Sequence, residues 1–254
     1  MWHDIRLLNI CANALFALAV LALLAGGLWW LAQRPDFALK TIRVEQSEHV
    51  PMRYVSTSTI RHTALPRIEG NFFTTDLEEV KSAFEAVPWV RRASVRREWP
   101  ATLVVTLEEH VPFATWGDDG RLVSVHGEVF TANLAEAEED GELPALSGPG
   151  GSEREVVARF RDLGQWLAAV QLAPRILRLS ERYAWTARLD NGMTVELGRE
   201  QHGKTMQERV ERLVSVYPQL RARLQERMES VDMRYPNGLA LRASGLDIKE
   251  VKKK

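Results

Sequence analysis

The sequence predicts an α+β chain: one N-terminal transmembrane helix, a small domain of order β-α-α-β-β, and an antiparallel β-domain with helices packed against it. Three observations predict this. Residues 7–33, "LLNICANALFALAVLALLAGGLWWLAQ", contain no charged side chain. The next seventy-odd residues read strand, helix, helix, strand, strand. The second half is punctuated by Asp119-Gly120, His126-Gly127, Asn191-Gly192 and Asn237-Gly238, the turn chemistry of short strands.

A bilayer core takes about 20 apolar residues in a helix, and 10–31 supplies that length. Trp29 and Trp30 stand at the far end, where amphipathic rings favour the headgroup layer. Cys11 and Asn13 interrupt the run near its start. The rival reading is a cleaved signal peptide, whose apolar core runs only about 7–15 residues and ends in a small-residue cleavage site absent here. The expectation is a retained span over 8–33 behind a short tail, 1–7. Flanking charge does not orient it: Arg6 lies before the span, and Arg34, Lys40 and Arg43 after it.

In the small domain, 37–110, "LKTIRVEQ" (39–46) alternates as a strand does. Helices are predicted over 54–63 and 76–86. The second has Thr75 or Asp76 as cap, Glu78 and Glu79 in a first turn that suits them, and a stripe of Leu77, Val80 and Phe84. Pro88 ends it. Strands follow over 89–99 and 102–109, joined tightly through Pro100, with Leu103, Val105 and Leu107 on one face.

The β-domain, 111–245, shows its clearest hairpins at 183–198 and 231–244. Amphipathic helices are expected over 153–171 and 205–217, with Met206, Val210, Leu213 and Tyr217 striping the second. The acidic, then Gly- and Pro-rich stretch 134–152 reads as a surface connection. Residues 246–254, ending "KEVKKK", read as a polar tail.

Composition limits the function. In 254 residues, 33 Lys+Arg face 34 Asp+Glu, a net charge of −1. That balance argues against nucleic-acid binding, which draws on a surplus of cations. A single cysteine excludes internal disulfides and Cys-based zinc clusters, and six scattered histidines have no ligand spacing. From these residues no metal site or cofactor box is expected.

One motif tests that expectation. "GREQHGKT" (198–205) matches the phosphate-binding loop of nucleotide hydrolases. Such a loop joins a buried parallel strand to a helix. Thr205 opens a helix, but "MTVEL" before the loop is the returning arm of an Asn-Gly hairpin, so it is expected to pair antiparallel with 185–189. Its Thr194 and Glu196 also break the continuous apolar run of a strand buried on both faces. The match reads as accidental.

The series "PWVRRASVRREWPATLVVTLEEHVPFATW" (88–116), "LPALSGP" (143–149), "LDNGMTVELGR" (189–199), "RLVSVYPQL" (212–220) and "VDMRYPNGLAL" (231–241) resembles the FtsQ family of bacterial cell-division proteins. The resemblance covers nearly the whole chain in order. It implies a POTRA domain at 37–110 and the family's β-domain after it. It further implies a type II single-span protein of the inner membrane, with a cytoplasmic tail, its mass in the periplasm, and a place at the division septum. The implied role is non-enzymatic, with no catalytic residues, cofactor or small-molecule substrate: a divisome scaffold that binds FtsB and FtsL, among other divisome proteins, and links early to late division components. The implied mode is strand addition at a sheet edge. Carried over by position, the edge is the last strand, 238–243, with Gly238, Leu239, Leu241 and Ala243 in it and Arg234, Tyr235 and Asn237 before or within its turn. Arg199 matches the family's "LGR" and is expected to meet an acidic partner residue. Some relatives carry an aromatic near Ala243, so here the apolar anchor is sought at Leu239 or Leu241. The alternative is another membrane-tethered POTRA protein of envelope assembly or secretion, with a membrane NTPase using 198–205 further behind.

Overall fold

Where no water is available, a chain satisfies its own backbone polar groups as a helix. Residues 7–32 obey that rule as part of α1 (Ile5–Ala32), one continuous helix. The computed structural model describes residues 5–32, 34, 37–47, 52–200, 205–224, 228–235 and 238–244. Within α1 the window Asn9–Trp30 has mean hydropathy 2.2, buries none of its surface, and is long and apolar enough to cross a membrane. The chain divides into two compact units, the first ending at Glu109 and the second beginning at His110.

In the first unit β1 (Thr41–Gln46), α2 (Thr57–Thr63), α3 (Leu77–Glu85), β2 (Val90–Glu98) and β3 (Thr102–Glu109) follow in the expected order. The sheet runs β1-β3-β2, with β1 parallel and β2 antiparallel to β3. Asp76 caps α3, its Oδ1 accepting from the N–H groups of Glu78 (2.8 Å) and Glu79 (3.4 Å). Val80 and Phe84 pack against Leu103, Val105 and Leu107, while Leu77 stays partly exposed at the margin of that core. Val104 points the other way and is still buried. Arg43 and Arg96 flank it in register on that face.

One carboxylate holds the segment leading into α2. Glu109, 3% exposed, accepts from the backbone N–H groups of Arg53 (2.8 Å), Tyr54 (3.1 Å) and Val55 (2.6 Å). Stacking of Tyr54 on the buried Trp89, with centroids 4.1 Å apart, closes the same corner.

The second unit contains β4 (Pro112–Trp116), β5 (Arg121–Ser124), β6 (Val129–Phe130), α4 (Leu134–Ala137), β7 (Ala145–Ser147), α5 (Glu153–Leu167), β8 (Pro174–Leu179), β9 (Ala184–Leu189), β10 (Thr194–Arg199), α6 (Thr205–Leu224), β11 (Met228–Asp232) and β12 (Ala240–Ala243). They form a nine-stranded sheet of order β12-β11-β10-β9-β8-β7-β4-β5-β6. α5 and α6 share one core with it, built around Val156, Leu163, Val210 and Leu213 against Leu177, Trp185, Leu197 and Val231.

The α+β class is as predicted, but the large sheet is mixed rather than purely antiparallel. β4 and β7, β7 and β8, and β10 and β11 pair in parallel. The reason is connectivity. α5 lies between β7 and β8, and α6 between β10 and β11, and a helical crossover returns the chain in the same direction. The stretch 134–152, expected as a connection only, supplies α4 and the interior strand β7, too short at three residues for its alternation to register. α6 also outruns its predicted end. It passes through Pro218 to Leu224, because Leu220 and Leu224 go on packing against the core while Pro218 faces outward.

Candidate partner-binding edge

β10, β11 and β12 are built by two different connections. The Asn191-Gly192 turn, with Gly192 at φ +83°, folds β10 back against β9. α6 then carries the chain over to β11, which pairs with β10 in parallel, Val195 beside Val231 and Glu196 beside Asp232. β12 returns antiparallel to β11, with Leu241 opposite Val231 and Ala240 opposite Asp232. β12 is the outermost strand of the sheet.

The parallel register brings Arg199 and Tyr235 to the same end of this edge, each three residues beyond a paired position. α6 fastens both. Arg209 Nη1 donates to the carbonyls of Leu197 (2.5 Å) and Arg199 (2.8 Å), and Arg212 Nη1 donates to the carbonyl of Tyr235 (3.1 Å). Their backbones are tied down while their side chains reach outward. Tyr235 is 55% exposed, and the Arg199 guanidinium makes no ion pair among the described residues.

Arg234 is engaged within the chain. Its Nε and Nη2 grip Asp232 at 2.9 and 2.6 Å, and Nη2 also lies 3.2 Å from Glu196. The hydrogen bond from Arg234 holds the Asp232 carboxyl below the usual carboxylate range, and Asp232 in turn raises the guanidinium. A depressed folded-state pKa stabilises above the ordinary carboxylate range and is lost as pH falls through the depressed value. The clamp is therefore expected to be intact at neutral pH and to open below the ordinary carboxylate range, which an NMR titration of the Asp232 carboxyl would follow.

Leu239 and Leu241 are half-buried against the chain's own core, and Ala243 is half-buried opposite Met228. Ala240 and Arg242 face outward, Arg242 lying 3.5 Å from Glu229 in an exposed pair. Gly238 precedes the strand with open space beside it. Asn237 lies outside the described residues.

The phosphate-loop motif looks different from this geometry. β10 does pair antiparallel with β9, as expected, but the hairpin does not keep it out of a parallel context: its other side pairs in parallel with β11, reached through α6. Two of its residues, Gly198 and Glu200, are otherwise employed. Gly198 forms a β-bulge at φ +71°, and a Cβ there would lie 2.8 Å from Arg234 Cγ. Glu200 is bound by Arg159 of α5 at 2.6 Å. Residues 201–204 lie outside the described set. Gly198→Ala is expected to push Arg234 off Asp232 and cost about 1–3 kcal/mol from the left-handed backbone alone, read by urea unfolding.

Sequence reasoning missed Asp232, Glu196, Arg209 and Arg212. Only the arginines left a signal: three apart, they flank the apolar stripe of α6 on its sheet-facing margin.

The comparisons with known proteins agree along the chain. A family model described as "POTRA domain, FtsQ-type" matches residues 37–110, and one described as "Cell division protein FtsQ/DivIB, C-terminal" matches 114–234. The chain is 51% identical over 247 residues to the cell division protein FtsQ of Burkholderia pseudomallei, covering 97% of this chain and 96% of that one. It is 44% identical to that of Bordetella pertussis, covering 95% and 92%, and 30% identical to that of Neisseria gonorrhoeae, covering 98% and 99%. By its two matched domains and its full-length relatives, the chain belongs to the FtsQ/DivIB family of cell-division proteins.

Proposed function

We propose that this chain is a non-enzymatic scaffold of the division machinery. α1 anchors it in the inner membrane, the tail 1–7 is cytoplasmic, and the POTRA domain (37–110) and β-domain (111–245) lie in the periplasm at the septum. There it binds FtsB and FtsL by strand addition and links early to late division proteins. The observation that carries this reading is β12, whose outer side pairs with no strand among the described residues, and the exposed Tyr235 at its entrance. An edge strand is ordinarily blunted by charge or proline, and β12 carries one charge, Arg242. A partner strand would satisfy its open backbone groups and cover the half-exposed Leu239 and Leu241.

Arg199 is the cation available to a partner carboxylate, since Arg234 is held by Asp232 and Glu196. Arg234 shapes the turn through that clamp. Tyrosine and arginine are the residues most often dominant in interfaces. Tyr235→Ala combined with Arg199→Glu is therefore expected to weaken FtsB binding at least about tenfold, roughly 1.4 kcal/mol, with the unfolding temperature unchanged. Unchanged affinity, measured by calorimetry, would remove these residues from the site.

A further inference from the structure

Four aromatic rings from three separate segments meet at one end of the small domain. Phe37 lies 5.0 Å from Phe73 and 6.4 Å from Trp99, and Phe72 lies 5.3 Å from Phe73 and 5.7 Å from Trp99. Phe72 is buried beneath the others, but Phe73 is 49% and Trp99 66% exposed. This is not a loose loop. The Phe72 N–H donates to the Phe37 carbonyl at 2.9 Å, and Arg97 donates to the carbonyls of Phe72 (2.7 Å) and Thr75 (2.6 Å). The fold holds two large apolar rings out into solvent.

The topology identifies which end this is. Thr41 at the start of β1 pairs with Thr102, and Glu98 at the end of β2 pairs with the same residue. The start of β1 and the β2–β3 turn bearing Trp99 therefore share the end at which the chain arrives from α1. Phe37 follows Ala32 by five residues, a reach of at most about 18 Å. The apolar window of α1 is about 33 Å long. It fills a hydrocarbon core of about 30 Å, leaving Ala32 in the headgroup layer.

We propose that Phe37, Phe73 and Trp99 form a membrane-surface foot that seats the small domain on the lipid headgroups beside its own span. The inference rests on reading α1 as a membrane span. Indole and phenyl rings at this depth exchange exposure to water for the headgroup–acyl boundary. Lys40, exposed and joined through its N–H to the Ala101 carbonyl at the same end, supplies a cation for anionic headgroups. Such a foot limits the swing of the small domain relative to its own span.

The test uses the full chain carrying Cys11→Ser, reconstituted into phosphatidylethanolamine–phosphatidylglycerol vesicles that contain a nitroxide-labelled lipid. A fluorophore is attached in turn at Phe73→Cys, at Glu69→Cys, exposed three residues before Phe72, and at Arg92→Cys and Leu21→Cys. Arg92 lies seven residues back along β2 from Trp99, about 23 Å away. Labels at Phe73 and Glu69 are expected to be quenched several-fold more than the label at Arg92, and Trp99→Ser to reduce quenching at Glu69 towards the Arg92 level. Equal quenching at Phe73, Glu69 and Arg92, with strong quenching at Leu21, overturns the foot and leaves the span standing. A label at Leu21 that escapes lipid quenching overturns the span and the foot with it.

Discussion

Glu109→Ala is expected to destabilise the POTRA domain by about 2–4 kcal/mol, because it strips a charged acceptor from three backbone N–H groups at once. Residues 53–55 lie ahead of α2, outside any strand, and Glu109 is nearly fully buried. The loss should be local before it is global. Hydrogen exchange is expected to accelerate first at Arg53, Tyr54 and Val55, then across α2, whose Ile60 depends on that segment for its seat in the core. Glu109→Gln, which keeps one acceptor oxygen, should retain part of the stability. Exchange at 53–55 unchanged in Glu109→Ala would show that the carboxylate does not hold this corner.

Leu213→Ala is the second large effect, about 2–5 kcal/mol in the β-domain. Leu213 is fully buried on α6, within the core shared with α5 and the sheet. Its consequence reaches the edge, since α6 also carries Arg209 and Arg212, which fasten the backbone at Arg199 and Tyr235. The variant should therefore lose partner affinity as well as stability, with the loss in affinity recovered at lower temperature as the helix reseats. Arg221→Ala, exposed on the same helix, should change neither. Urea unfolding and calorimetry on the two variants separate the effects.

These two cases also show what the sequence made legible. The α3 stripe of Val80 and Phe84, the alternation of Leu103, Val105 and Leu107, and the Asn191-Gly192 hairpin were readable because each is a local periodicity or a local turn preference. The parallel joins were not. Whether β10 meets only β9, or also β11, depends on where α6 delivers the chain, and no window of residues encodes that. The Glu109 clamp joins residues 54 to 56 positions apart, and its carboxylate looked like the polar end of a strand. The edge was legible as a last hairpin, and the family resemblance supplied its partner residues. The division of labour between its two arginines emerged only from geometry: Arg234 is spent on Asp232 and Glu196, while Arg199 makes no ion pair among the described residues.

Hydrogen exchange at β12, with and without a bound FtsB segment, bears most directly on the central proposal. Strand addition makes new backbone hydrogen bonds along the outer side of β12. Alternate amides of Ala240–Ala243 should then slow markedly on binding, while amides at the opposite edge, Val129–Phe130, keep their rates. Partner binding that leaves the β12 amides exchanging as before would contradict the account.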